Sequence, residues 1–138
     1  MKCHELKVRV RYSETDQMGV VHHSNYFNYF EMGRIEYLRS LGLVYSELEK
    51  EQTYLVVTEV YCKYRASARY DDVLIVRTWV AELKPTRIEF RYEIVKDGDE
   101  ARQIAEGFSV LACLDKTRKP VVLPGELKDL LATEVSRI

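Results

Sequence analysis

The sequence predicts an α+β fold in which a five-stranded antiparallel sheet wraps around one long central helix, and three observations predict it. A first segment alternates apolar and charged residues with the period of a strand. One longer stretch then repeats apolar residues at helical spacing, so broadly that its first turns must be almost surrounded. Four long stretches rich in Val, Ile, Tyr, Phe and Thr follow. One buried helix and five strands satisfy each other when the sheet curls and turns its apolar face onto the helix.

In the first segment Leu6, Val8, Val10 and Tyr12 share a face against Lys7, Arg9 and Arg11, and a charged outer face suits a sheet edge. After a polar loop, Tyr26 to Leu41 is apolar at 26, 27, 29, 30, 32, 35, 37, 38 and 41, the pattern of a core helix. Ser24 or Asn25 offers an oxygen to cap its start, and Gly42 ends it in a left-handed conformation. Gly33, inside the helix, costs about 1 kcal/mol against Ala and marks a place where another backbone comes close. A short helix is expected over Tyr45 to Glu51. Strands follow over Tyr54 to Arg65, Val73 to Leu83, Arg87 to Lys96 and Arg102 to Leu114. In the third of these Ile88, Phe90, Tyr92 and Ile94 oppose Arg87, Glu89, Arg91 and Glu93. Lys84-Pro85-Thr86 and Asp97-Gly98-Asp99 read as hairpin connections, making these strands antiparallel neighbours. Pro124 to Ala132 adds a helical turn or two.

No stretch is rich enough in Pro, Gly or Ser to be a linker, so residues 1–138 read as a single domain. With 21 Lys and Arg against 22 Asp and Glu, no nucleic-acid partner is implied. The start carries no apolar run for a signal peptide, and no stretch approaches the roughly 18 apolar residues of a membrane span. A cytoplasmic protein is expected. Cys3, Cys62 and Cys113 form no CxxC pair, which argues against a disulfide framework or a zinc knuckle. Cys62 and Cys113 read as small apolar side chains, with no basic cluster beside them to make a nucleophile. The predicted helix is about 24 Å long and covers only part of such a sheet. Apolar surface therefore remains for a second copy, and a closed homo-oligomer, dimer or tetramer, is expected.

Functional side chains concentrate between Tyr12 and Tyr26. Glu14 and Asp16 point the same way if the chain there is extended. Gly19 permits a bend that brings the Asp16 carboxylate toward the helix start, where unpaired N–H groups attract negative charge. That pairing suits thioester hydrolysis. The leaving thiol has a pKa near the free cysteine value of about 8.5, so no strong general acid is needed. One carboxylate and an oxyanion hole suffice, with no cofactor, and the carboxylate either attacks directly or takes a proton from water. His22 and His23 find no third ligand at metal-site spacing, His4 included. A GxSxG elbow is absent from the chain. Asp16 alone would read as a turn residue bonding its own backbone. Glu31 either orients water or pairs with Arg34 one turn on, the pairing being favoured. Tyr26, Phe27, Tyr29 and Phe30 either line an acyl pocket or pack in the core.

Arg9-Val10, then Thr15-Asp16, Gly19-Val20-Val21, His23 and Tyr26 resemble the active-site signature of the 4-hydroxybenzoyl-CoA thioesterase family. The resemblance continues through the helix into Tyr64 to Asp72, then Leu83, Lys84 and Arg87. It is strongest toward the bacterial branch associated with the Tol-Pal gene cluster. It implies a hot-dog fold and an acyl-CoA thioesterase, with Asp16 as the catalytic carboxylate and the backbone N–H of His23 polarising the thioester carbonyl. Gly19, His22, Asn25, Tyr26 and Glu31 are candidates to surround the substrate. The implied partner is acyl-CoA, or an acyl carrier protein thioester, bound between two protomers. Arg65, Arg69, Lys84 and Arg87, with Lys116, Arg118 and Lys119, are candidates for the CoA phosphates. Ser67 stands where the family has Pro. Two other activities fit such a fold: a dehydratase or hydratase, and a non-catalytic module that binds acyl-CoA or acyl carrier protein. Asp16 argues against the last. The acyl group, the carrier and the oligomer size stay open.

Overall fold

The computed structural model describes residues 3–135. In chain order it contains β1 (His4–Arg9), α1 (Asn25–Ser40), α2 (Tyr45–Lys50), β2 (Tyr54–Tyr64), β3 (Val73–Leu83), β4 (Arg87–Lys96), β5 (Asp99–Leu114) and α3 (Gly125–Ala132). The strands form one five-stranded sheet in the order β1-β3-β4-β5-β2, and every pairing is antiparallel. This is the α+β wrap expected from periodicity. One connection differs. The chain after β2 does not turn back to pair with it; β2 sits at the far edge beside β5, and β3 pairs with β1 and β4.

α1 lies against the concave face, and its buried side, Tyr26, Tyr29, Phe30, Gly33, Tyr37 and Leu38, meets Leu74, Val76, Ile88, Phe90, Tyr92 and Ile94 in one core cluster. Phe30 stacks on Tyr92 with ring centroids 4.3 Å apart. The close approach expected at Gly33 is real, but side chains make it. A Cβ there would lie 2.7 Å from Thr78 Oγ1 and 2.8 Å from Val76 Cγ1, both on β3. The helix ends as anticipated, with Gly42 at φ +86° and its N–H donating to the Arg39 carbonyl.

Two expectations near the start need correction. β1 stops at Arg9, and Tyr12, expected on the buried face, is 77% exposed because the chain has already turned into a short 3₁₀ turn over Tyr12–Glu14. α1 has no side-chain cap at Ser24. The Asn25 side chain is committed elsewhere, to the Glu14 carbonyl.

Candidate functional site

The segment between β1 and α1 is a small closed loop rather than an extended strand. After the Tyr12–Glu14 turn, Thr15 bridges Val21 in antiparallel fashion and Val20 bridges Arg69. Val21 N–H donates to the Ala68 carbonyl at 2.8 Å, fastening the loop to the segment before β3. Gly19 sits at the tip with φ +77°, the left-handed geometry that lets the chain reverse.

The 3₁₀ turn separates the two carboxylates that an extended chain would have aligned. Glu14 is buried, at 7% exposure. Its carboxylate accepts the Arg11 N–H at 2.8 Å, the Tyr29 hydroxyl at 2.9 Å and the Arg11 guanidinium at 3.3 Å. Its carbonyl accepts the His22 N–H and the Asn25 side-chain amide, each at 2.9 Å. Glu14 thus ties the chain just after β1, the loop and the start of α1 together. Sequence reasoning gave it no structural role, although Arg11 three residues before it was the available signal.

Asp16 lies half-buried at the loop tip. Its Oδ1 accepts N–H groups of Met18 at 2.9 Å and Val20 at 3.4 Å. The carboxylate is therefore held by its own loop and not by the helix start, which corrects the expectation that Gly19 would fold it onto the α1 dipole. The reason is local. An Asp two residues before an N–H in a tight reversal closes an Asx turn more cheaply than it crosses to another element.

The start of α1 is built by the next residues. Asn25 N–H donates to the His22 carbonyl and Tyr26 N–H to the His23 carbonyl. Ser24 N–H, at 3.3 Å, and Ser24 Oγ, at 2.8 Å, both meet Nδ1 of the exposed His22. The His23 N–H has no acceptor among the described residues, and His23 is exposed. Tyr64, at the end of β2, donates its hydroxyl to the His23 carbonyl at 3.2 Å and sets its ring edge-on to His23 and Tyr26. Tyr64 is thus a further residue of the site that sequence reasoning quoted only as part of a motif.

The remaining candidates divide. Tyr26, Tyr29 and Phe30 are core side chains, each 3% exposed or less; burial pushes the Tyr26 hydroxyl up to about 12. Phe27 is half-buried on the flank. Glu31 and Arg34 do not pair as expected; no ion pair joins them among the described residues, and Arg34 instead donates to the Tyr92 hydroxyl at 3.2 Å. Arg69 is exposed beside Gly19. Arg65 is engaged by Glu106 at 2.6 Å, which holds that carboxyl below its ordinary range. Lys84, 3.4 Å from Glu82, and Arg87 sit on the β3–β4 hairpin. Arg87 lies opposite Ala112 of β5, whereas Tyr64 lies opposite Ala105, so the two basic groups are roughly 23 Å apart along one protomer. Burial pushes the Cys62 thiol up to about 11 and raises Cys113 as well, which disfavours either as a nucleophile at neutral pH.

Comparison with known proteins gives a consistent picture. The family description "thioesterase-like superfamily" matches residues 10–131. The acyl-CoA thioesterase YbgC of Haemophilus influenzae is 37% identical over 123 residues, 88% of each chain. The chloroplastic acyl-acyl carrier protein thioesterase ATL3 of Arabidopsis thaliana is 30% identical over 125 residues, 91% of this chain and 65% of that one. Among solved structures, the DHNA-CoA thioesterase of Staphylococcus aureus superposes with a TM-score of 0.92 at 30% identity, covering 96% of this chain and 91% of that one.

Proposed function

The chain belongs to the thioesterase-like superfamily and is an acyl-CoA thioesterase with the hot-dog fold; from that premise we propose that Asp16 is its catalytic carboxylate and the His23 N–H its oxyanion donor. The observation that carries this reading is the N–H of exposed His23, just before α1 and without an acceptor among the described residues, seven residues beyond a carboxylate fixed by its own loop. The N–H and the positive end of the helix stabilise the oxyanion of a tetrahedral intermediate. Asp16, held by two N–H groups, keeps its second oxygen for water or for the carbonyl carbon. The thiolate then leaves and is protonated by solvent. The signature from Arg9 to Tyr26 supports placement in the 4-hydroxybenzoyl-CoA thioesterase family, nearest the Tol-Pal-associated bacterial branch, and no helix of the described residues is long and apolar enough to cross a membrane.

The working form is a homo-oligomer built on the β2 edge. The opposite edge strand, β1, is the shorter and carries charged side chains, Glu5 paired with Arg77 and Lys7 with Asp97, which suits an edge that stays free. β2 leaves its outer backbone groups unpaired and carries Val57, Val60, Tyr61 and Tyr64 between 43% and 49% exposed, which invites a second strand. Antiparallel pairing of two copies brings the hairpin end of one, with Lys84 and Arg87, to the loop end of the other, with Arg65 and Arg69. One CoA nucleotide then spans basic groups that lie too far apart in a single protomer. Replacing Asp16 by Asn or Ala and measuring free-thiol release across a panel of acyl-CoAs tests the catalytic assignment; undiminished turnover would overturn it.

A further inference from the structure

One flank of α1 runs from the proposed reaction centre to a cavity. His23, Phe27, Glu31, Arg34 and Leu38 recur at intervals of three and four residues, so they lie one above another along the helix. The cavity, about 220 Å³, is walled by Ile35, Leu38, Leu55, Val57 and Leu111, with Glu31, Arg34 and Tyr45 supplying its polar groups. Tyr45 spends its hydroxyl proton on the Leu55 carbonyl at 2.7 Å.

Arg34 is what makes this cavity more than a gap in packing. Its guanidinium is anchored from beneath by the Tyr92 hydroxyl, which in turn meets Ser109 Oγ, and both of those residues are only 1% exposed. That buried pair needs no cation to satisfy it. Yet a half-buried guanidinium stands over it with no carboxylate in ion-pair range among the described residues, and four of its five donors are unassigned. Glu31, which shares the cavity wall, accepts no hydrogen bond from any described residue. A half-buried donor and an exposed acceptor thus line the same cavity without bonding each other.

We propose that this cavity receives the far end of the acyl chain and selects one that carries a hydroxyl group; the proposal rests on the thioesterase reading above. Of a methyl, a carboxylate and a hydroxyl end, only the hydroxyl can accept from Arg34 and donate to Glu31 at once. A methyl end gives the half-buried Arg34 guanidinium no further acceptor, and a carboxylate end meets the Glu31 charge. Glu31 lies about 9 Å along the axis from the first residue of α1, and Arg34 about 13 Å. That is beyond the reach of a single ring attached to the carbonyl and fits an aliphatic chain of medium length lying past Phe27.

The test compares omega-hydroxyoctanoyl-CoA, octanoyl-CoA and the monothioester of octanedioic acid with CoA. The wild-type enzyme is expected to show KM lower by roughly tenfold for the hydroxylated chain than for octanoyl-CoA, the scale of one hydrogen bond to a charged group. Arg34→Leu should bring that ratio toward one, with Arg34→Lys retaining part of it. Should Arg34→Leu fold poorly, Glu31→Gln, at an exposed position, gives an independent reading: it should improve use of the dioic monothioester relative to octanoyl-CoA. A wild-type ratio near one with octanoyl-CoA hydrolysed, or ratios unmoved by the Arg34 and Glu31 substitutions, overturns the proposal and leaves the thioesterase reading standing. Thiol release from none of the three would instead count against the thioesterase reading.

Discussion

The first turn of the active loop, around Glu14, and its tip, around Asp16, each hold one carboxylate two residues apart in sequence. Glu14 is sealed in and receives Arg11 from the chain just before its turn and Tyr29 from α1 as partners. Asp16 is only half-buried and is held by N–H groups of its own loop. On the proposed reading, carboxylates this near in sequence take opposite tasks, because the 3₁₀ turn points one into the core and leaves the other less buried. Burial with charged partners is what a structural tie requires. Access with a fixed orientation is what a reacting group requires.

The largest expected effect is the one that would break this division. Asp16→Asn keeps the size and one acceptor oxygen of the side chain but removes its charge and basicity. Turnover of acyl-CoA should fall by at least about 100-fold, while the melting temperature moves by no more than roughly 2 °C. Thiol-release kinetics and thermal unfolding of the same preparation read both. A large melting shift would show that Asp16 shares the structural task of Glu14, and the contrast would fail.

Glu14→Ala should give the reverse. Deleting it leaves the Arg11 N–H and the Tyr29 hydroxyl without their acceptor in a buried place, at a cost of about 3 kcal/mol. Denaturant unfolding should read that loss. Activity should recover at low temperature to the extent that the folded population recovers. Loss of turnover in protein that is fully folded would move Glu14 from the structural side of the comparison to the catalytic one.

How far the sequence revealed these two regions follows from the range of the forces involved. Strand and helix periodicity reports burial on a continuous element, so β3 and β4 run over the residues that alternation marks, and the Asp97-Gly98 reversal stands between β4 and β5. The position of β2 was not legible, since nothing in its own residues says that it pairs with β5 rather than with its successor. In the loop, Gly19 and Asp16 were legible as turn formers and as parts of a signature. The fate of Glu14 was not, because it depends on Tyr29, fifteen residues away, arriving from the helix. Arg34 misled for the same reason. Its partner one turn back lay within reach, but Tyr92, fifty-eight residues on, provides the bond.

The smallest effect at neutral pH, and the sharpest view of the Glu14 region, comes from Tyr29. Burial raises the pKa of its hydroxyl first, and the bond to the Glu14 carboxylate, which needs the phenolic proton, raises it further. In the unfolded chain that hydroxyl titrates near 10. Between that value and the higher folded one, the unfolded state loses a proton that the folded state keeps, so stability falls as pH rises. Below about pH 10 the contribution is fully present. Tyr29→Phe should therefore cost only about 1 kcal/mol at pH 7, the worth of one hydrogen bond, and should flatten the fall of stability above pH 10. Tyr26 and Tyr37, also raised by burial, keep some slope in place, so the readout is the difference between the two unfolding curves. Equal slopes in wild type and Tyr29→Phe would mean that the Glu14 carboxylate does not hold the Tyr29 proton, and that the loop is fastened to α1 through the Glu14 carbonyl alone.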